Sequence, residues 1–310
     1  MGVQGHDASL AGSGGNVDYG MIGAMNQASV ITRFAPSPTG YLHLGHAFSA
    51  LFAQHQARAA SGRFLLRLED IDTVRCRPEF AAAILDDLAW LGLHWDGPVR
   101  TQSEHLDDYR SALDRLQGRG LLYPCFCTRK EIAAEIARSG HAPHGPDGVL
   151  YPGTCRFLDP GERQHRLDSG QPYALRLDMR EAVAQAGPLM WRDLDAGVQI
   201  ARPEIFGDVV LARKDTPTSY HLAVVWDDAL QGITLVTRGN DLFEASHVHR
   251  LLQALLALPV PDYRHHALLT DAEGRRYAKR DKALTIASLR QSGHTPGQVQ
   301  ALAGFIPLAM

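Results

Sequence analysis

The chain has 310 residues, 45% of them hydrophobic, with a net charge of −3 and four cysteines. No apolar run approaches the roughly 20 residues that span a bilayer, so a soluble, cytoplasmic protein of one large or two modest domains is expected. The small charge excludes a generally polyanion-coated protein while leaving room for a local basic face. Four cysteines, two of them in a Cys-x-Cys pair, read as an intracellular thiol set and not a disulfide framework.

Residues 1–29 are Gly-rich and aperiodic, with no basic stretch before an apolar core, and read as a disordered extension that is not a signal peptide. Their glycines fail the dinucleotide fingerprint, which would need a glycine where Val17 stands, and the chain has no Walker-A lysine motif. From residue 30, strand-like and helix-like stretches alternate, which predicts an α/β fold with a parallel sheet. Residues 31–34 read as the first strand, running into the loop Ala35-Pro36-Ser37-Pro38-Thr39-Gly40. A helix is predicted over about 44–60 and a second strand over 63–70. Pro78 opens a helix carrying Phe80, Ile84, Leu85 and Leu88 at helical spacing. Another carries Leu106, Tyr109, Leu113 and Leu116.

Residues 118–200 change character. They hold three of the four cysteines, many Pro and Gly, and short strands such as 174–177, and read as an insertion subdomain. Thr128-Arg129-Lys130-Glu131 matches a capping box opening a helix. Strands are predicted to resume at 208–213, 221–226 and 233–237, whose near-continuous apolar runs suit a sheet buried on both faces. A helix over 245–258, a strand over 264–269, a basic loop at Arg276-Tyr277-Ala278-Lys279-Arg280 and two short helices follow. The expected architecture is a dinucleotide-type (Rossmann) domain in two halves, 30–117 and 201–270, split by the insertion, with 271–310 as loop and tail. In open parallel sheets the ligand lies at the carboxyl ends of the strands. Arg33, Glu69 and Arg238 should therefore converge on one crevice.

His43-Leu44-Gly45-His46 stands where the first loop becomes a helix. Helix N-termini offer unpaired N–H groups and a positive dipole end, Gly45 removes a side chain where a nucleotide can lie, and histidines can donate to a phosphate. Glu69 and Asp70 end a strand with Asp72 close behind, where carboxylates are expected to meet a cation. Arg33 and Arg238 offer planar donors suited to a substrate with two carboxylates, and Tyr220 adds a hydroxyl and an apolar wall. Cys125, Cys127 and Cys155 can form part of a tetrahedral zinc site. Chemistry alone leaves its fourth ligand open, with His141 and His144 the usual choice.

The stretch Arg33 to His46, RFAPSPTGYLHLGH, resembles the first signature of the class I glutamyl-tRNA synthetase family. Arg276–280 resembles that family's Lys-x-Ser-Lys-Arg loop, with Arg276 and Ala278 replacing the first Lys and the Ser. The resemblance implies adenylation of glutamate by ATP with Mg²⁺. It places ATP on His43, Gly45, His46, Lys279 and Arg280, with His43, His46 and Lys279 as the catalytic groups. It implies a glutamate pocket of Arg33, Phe34, Ala35, Pro36, Ser37, Glu69, Tyr220 and Arg238, with Glu69 on the substrate amino group. It points to Tyr151 as the fourth ligand of one structural Zn²⁺, beside Cys125, Cys127 and Cys155. After Lys279 too little chain remains for the family's anticodon-reading domain. That pattern resembles the branch that activates glutamate without tRNA and esterifies queuosine in the anticodon loop of tRNA(Asp). A monomer with a small RNA footprint is expected. The alternatives are a truncated enzyme charging a tRNA 3′ end and a non-catalytic paralogue that binds tRNA or amino acid.

Overall fold

The computed structural model describes residues 29–139, 144–269 and 285–305. The first half of the chain runs β1 (Ile31–Phe34), α1 (Leu44–Ala59), β2 (Arg63–Leu68), α2 (Pro78–Trp90), β3 (Arg100–Thr101), α3 (Leu106–Gly118), β4 (Leu122–Cys125) and α4 (Arg129–Ser139). The middle runs β5 (His144–Gly145), β6 (Gly148–Val149), α5 (Pro160–Asp168), β7 (Ala174–Leu177), α6 (Met179–Ala186), β8 (Met190–Asp193) and β9 (Gly197–Ile200). Then come β10 (Val210–Ala212), α7 (Tyr220–Leu230), β11 (Leu235–Gly239), α8 (Ala245–Leu256), β12 (Asp262–His266), α9 (Ile286–Gln291) and α10 (Pro296–Leu302).

The α/β reading holds. β1, β2 and β3 form one parallel sheet, and β11, β12 and β8 form a second parallel set that ends in antiparallel β9. The two sets lie side by side: the Thr234 N–H donates to the Ile31 carbonyl at 3.0 Å, and the Ile31 N–H donates to Thr234 Oγ1 at 2.8 Å. The strand ends that carry Arg33, Glu69 and Arg238 are thereby brought to one edge. α1 covers this face with Leu44, Ala47, Ala50, Leu51, Ala53 and Ala57, spaced so that one stripe is buried. The core beneath it continues through Phe64, Leu66 and Leu88 to Ile286 and Val299 of the last two helices. Among the described residues no helix is long and apolar enough to cross a membrane.

Four expectations need correction. Residues 221–226 are not a strand but the body of α7, where Leu222, Ala223, Val224 and Val225 are all buried. Burial around the whole helix erases the 3.6-residue stripe, so a run of β-branched residues reads as a core strand. The strand predicted at 208–213 shrinks to β10, and it pairs antiparallel with β7, itself antiparallel to β4. It therefore joins the sheet of the middle segment and not the parallel one. Conversely β8, from within 118–200, pairs parallel with β12. The two strands around the site, β11 and β12, lie at 235–239 and 262–266, not at 233–237 and 264–269. The capping box is as read: Glu131 N–H donates to Thr128 Oγ1 and Thr128 N–H to Glu131 Oε2.

Candidate active site

A cavity of about 360 Å³ opens at the carboxyl ends of β1, β2 and β11. β1 delivers Arg33 and Phe34, followed by Ala35. The start of α1 delivers His43, Gly45 and His46. Glu69 follows β2, Tyr220 begins α7 and Arg238 comes from β11. The convergence expected from the sequence is present, with two exceptions. Ser37 lines a neighbouring cavity of about 370 Å³ that shares Glu69 and Tyr220. Pro36 lines neither, and its carbonyl accepts the Glu69 N–H at 3.0 Å, fixing the loop against the strand end.

His43 is the N-cap of α1, in extended backbone. Its Nδ1 accepts the Gly45 N–H at 3.1 Å, while His46 Nδ1 accepts the His43 N–H at 3.2 Å. A backbone N–H can only donate, so both Nδ1 atoms are acceptors and both neutral rings carry their proton on Nε2. The rings stack with centroids 3.8 Å apart. A Cβ on Gly45 would stand 3.0 Å from the His43 ring, so glycine is what lets the ring fold back over the helix start. The result is two oriented donors at a helix N-terminus, an arrangement that suits phosphate.

The basic loop, with Arg276, Lys279 and Arg280, lies outside the described residues, as does His141. The described residues on either side of it are at this cavity. Leu268 and Leu269 line it, Thr285 pairs with His43 in an antiparallel bridge, and the Ile286 N–H donates to the Leu42 carbonyl at 2.9 Å.

Two arginines face the cavity in different electrostatic states. Arg33 donates Nε to Asp228 Oδ1 at 2.9 Å, Nη2 to Asp228 Oδ2 at 3.3 Å and Nη1 to the Thr237 carbonyl at 3.2 Å. Asp228 is shared with fully buried Arg67, whose Nη2 lies 2.9 Å from it and 3.2 Å from Glu69 Oε1. The charges of Arg33 and Arg67 pull Asp228 below the usual carboxylate range despite its burial. Burial pushes Glu69 up, against the pull of Arg67 and Arg33. Arg238 has no carboxylate within ion-pair distance among the described residues. Its partners are His265 Nε2 at 3.1 Å, His249 Nδ1 at 3.2 Å, Tyr220 Oη at 3.4 Å and Ser246 Oγ at 2.6 Å. A guanidinium 6% exposed and held only by neutral groups is poised for an anion.

Sequence reading missed this supporting layer. Asp228 sits in the run misread as strand, and Arg67 looks like an outward strand residue. His265 and His266 carried a usable signal, because they end a strand at the edge where ligands lie.

Away from this cavity the sulfurs of Cys125, Cys127 and Cys155 lie within 4.8 Å of one another, on a small core of their own. Cys127 Sγ is 3.4 Å from Cys155 Sγ and 3.5 Å from Tyr151 Oη. Ligands about 2.3 Å (sulfur) and 2.0 Å (oxygen) from a tetrahedral ion stand about 3.5–3.8 Å apart. The three cysteines could hold a metal ion, and Tyr151 Oη stands beside them. Contact with the Cys125 thiol, opposed by burial, holds the Cys155 thiol well below its ordinary value.

Residues 29–304 match the family model of tRNA synthetases class I (E and Q), catalytic domain. The chain is 53% identical over 284 residues to a protein named Glutamyl-Q tRNA(Asp) synthetase from Rhodobacter capsulatus, covering 89% of this chain and 100% of that one. A protein of the same name from Symbiobacterium thermophilum is 44% identical over 88% of this chain and 86% of its own. Glutamate–tRNA ligase of Aquifex aeolicus is 38% identical over 87% of this chain and 55% of its own. Among solved structures, a glutamate tRNA ligase from Elizabethkingia meningosepticum in complex with its amino acid superposes with a TM-score of 0.69 at 29% identity, covering 86% of this chain and 54% of that one. The chain thus spans about half the length of the glutamate–tRNA ligases it matches.

Proposed function

The chain belongs to the class I tRNA synthetase family of the glutamyl and glutaminyl enzymes, and on that premise we propose that it activates L-glutamate with ATP and passes it to queuosine in tRNA(Asp). The observation that carries the first half is the pairing within one cavity of Glu69, a carboxylate for an ammonium group, with Arg238, a buried cation that has no carboxylate within ion-pair distance among the described residues. The two Nε2–H donors of His43 and His46 stand beside them.

In the first step an oxygen of the glutamate α-carboxylate attacks the α-phosphorus of ATP. The bond to the bridging oxygen breaks, and pyrophosphate leaves. Arg33 and Arg238 hold the substrate carboxylates, Glu69 receives the amino group, and Tyr220 and the Phe34–Ala35 backbone wall the pocket. His43 and His46 donate to charge developing on the phosphoryl oxygens, while Gly45 keeps the path to the backbone open. Lys279 and Arg280 would hold the leaving pyrophosphate, where a bound Mg²⁺ would supply further charge neutralisation. The rate enhancement comes from positioning and preset electrostatics, with no protein nucleophile. In the second step a queuosine hydroxyl attacks the acyl carbon, the bond from that carbon to the adenylate phosphate oxygen breaks, AMP leaves, and the hydroxyl proton passes to the departing phosphate or to solvent.

Relatives named Glutamyl-Q tRNA(Asp) synthetase, 42–53% identical over most of the chain, support queuosine as the acceptor. Matches to glutamate–tRNA ligases favour a second reading, in which glutamate goes to a tRNA 3′ end. Glutamate-dependent ATP–pyrophosphate exchange without tRNA tests the activation step, and labelling of tRNA(Asp) with and without queuosine tests the acceptor.

Cys125, Cys127, Tyr151 and Cys155 would hold one Zn²⁺ that, closed by four protein ligands, is a structural brace. The chain would act as a monomer in the cytoplasm.

A further inference from the structure

Arg238 is held from behind by two histidines whose tautomers the hydrogen bonds fix. The guanidinium only donates, so His249 Nδ1, 3.2 Å from Nη1, is an acceptor. His249 then carries its proton on Nε2, which lies 3.2 Å from His221 Nδ1. His221 in turn carries its proton on Nε2, which faces the exposed Asp147 at 3.7 Å. On the other flank, His265 Nε2 accepts Arg238 Nε–H at 3.1 Å, and its Nδ1–H donates to buried Asp193 at 2.7 Å. Each histidine thus has a partner that sets which nitrogen is free, and in each the free nitrogen points at Arg238.

We propose that His249 and His265 are positioning residues that orient Arg238 with neutral acceptors and leave its charge uncompensated for a substrate carboxylate. Resting on the glutamate-activating reading above, the inference deepens it. A carboxylate in place of either histidine would hold the guanidinium equally well and neutralise it before substrate arrives. Asp228 does that to Arg33. The division of labour follows: Arg33 meets a substrate carboxylate as a donor whose charge Asp228 already offsets, and Arg238 meets one with its charge still uncompensated. The surroundings keep the histidines neutral. Burial above all, then the charge of Arg238 beside it and the more distant influence of His221, Arg33 and His265, holds His249, on α8, well below its ordinary value. Burial and Arg238 draw His265 down to about 4, against the pull of Asp193.

Glutamate-dependent ATP–pyrophosphate exchange separates the parts. His249→Leu is expected to raise the glutamate KM by about 10- to 100-fold, the size of one lost hydrogen bond to a charged group, with the ATP KM unchanged. His249→Asn, which restores an acceptor at the Nδ1 position, recovers most of that loss. His249→Asp, which adds the missing carboxylate, does worse than His249→Leu. ¹⁵N NMR of the wild type, with His249 assigned by the Asn variant, shows the Nε2–H tautomer. A wild-type glutamate KM in His249→Leu, a parallel rise in both KM values, or an Nδ1–H tautomer overturns the proposal alone. No exchange in the wild type overturns the glutamate reading and this proposal with it.

Discussion

Arg33 and Asp228, 195 residues apart in the chain, meet at two points, Nε on Oδ1 at 2.9 Å and Nη2 on Oδ2 at 3.3 Å. Because Asp228 also takes Arg67, one buried carboxylate ties β1, β2 and α7 together beneath the cavity. Asp228→Asn leaves two buried guanidiniums short of charge and is expected to cost about 3–5 kcal/mol. The exposed Arg192–Asp262 pair serves as control, with Asp262→Asn costing less than about 1 kcal/mol. Urea denaturation of both variants checks this, and equal costs would contradict it.

His43 and His46 cap a helix and face the cavity, and the two roles separate by size. His46→Ala is expected to slow pyrophosphate exchange by about 10²–10³-fold, as for one lost transition-state donor, while lowering stability by only about 1 kcal/mol. Gly45→Ala displaces the His43 ring and should lower exchange with the fold intact. Lys279→Ala should lower exchange by several orders of magnitude. Near wild-type exchange in that variant would remove the basic loop from the mechanism.

Purified protein should carry one zinc per chain. X-ray absorption should show three sulfurs at about 2.3 Å and one lighter ligand at about 2.0 Å. Tyr151→Phe should lose the lighter ligand or exchange it for water, and Cys155→Ser should release metal and lower thermal stability. Metal analysis that finds no zinc would defeat this assignment.

Stability should fall on acidification because His265 is neutral in the fold. Its drop from 6.5 to about 4 means that between those pH values the unfolded chain binds the extra proton, so stability is full above about 6.5 and lost as pH falls toward 4. The contribution is on the order of 3 kcal/mol. His265→Gln should flatten that part of the profile in pH-dependent denaturation, and an unchanged slope would show that another group sets it.

The elements that build the site were legible where a local signal exists. The strand–loop–helix around Arg33 and His43 is contiguous, so turn chemistry and spacing locate it. The capping box at Thr128 is written within four residues. What the sequence hid is long-range: Asp228 under Arg33, His249 and His265 behind Arg238, and the pairing of β8 with β12 across the edge of the middle segment. α7 was misread for the same reason, since a helix buried on all sides carries no amphipathic period. The electrostatic difference between Arg33 and Arg238, which decides which of them awaits an anion, belongs wholly to tertiary structure.

Labelled glutamate offered with ATP to tRNA(Asp) with and without queuosine tests the central claim most directly. Label should appear only on the queuosine-containing tRNA and should survive periodate oxidation of the 3′ adenosine carried out before queuosine is introduced. Labelling that ignores queuosine, or that needs an intact 3′ end, would contradict it.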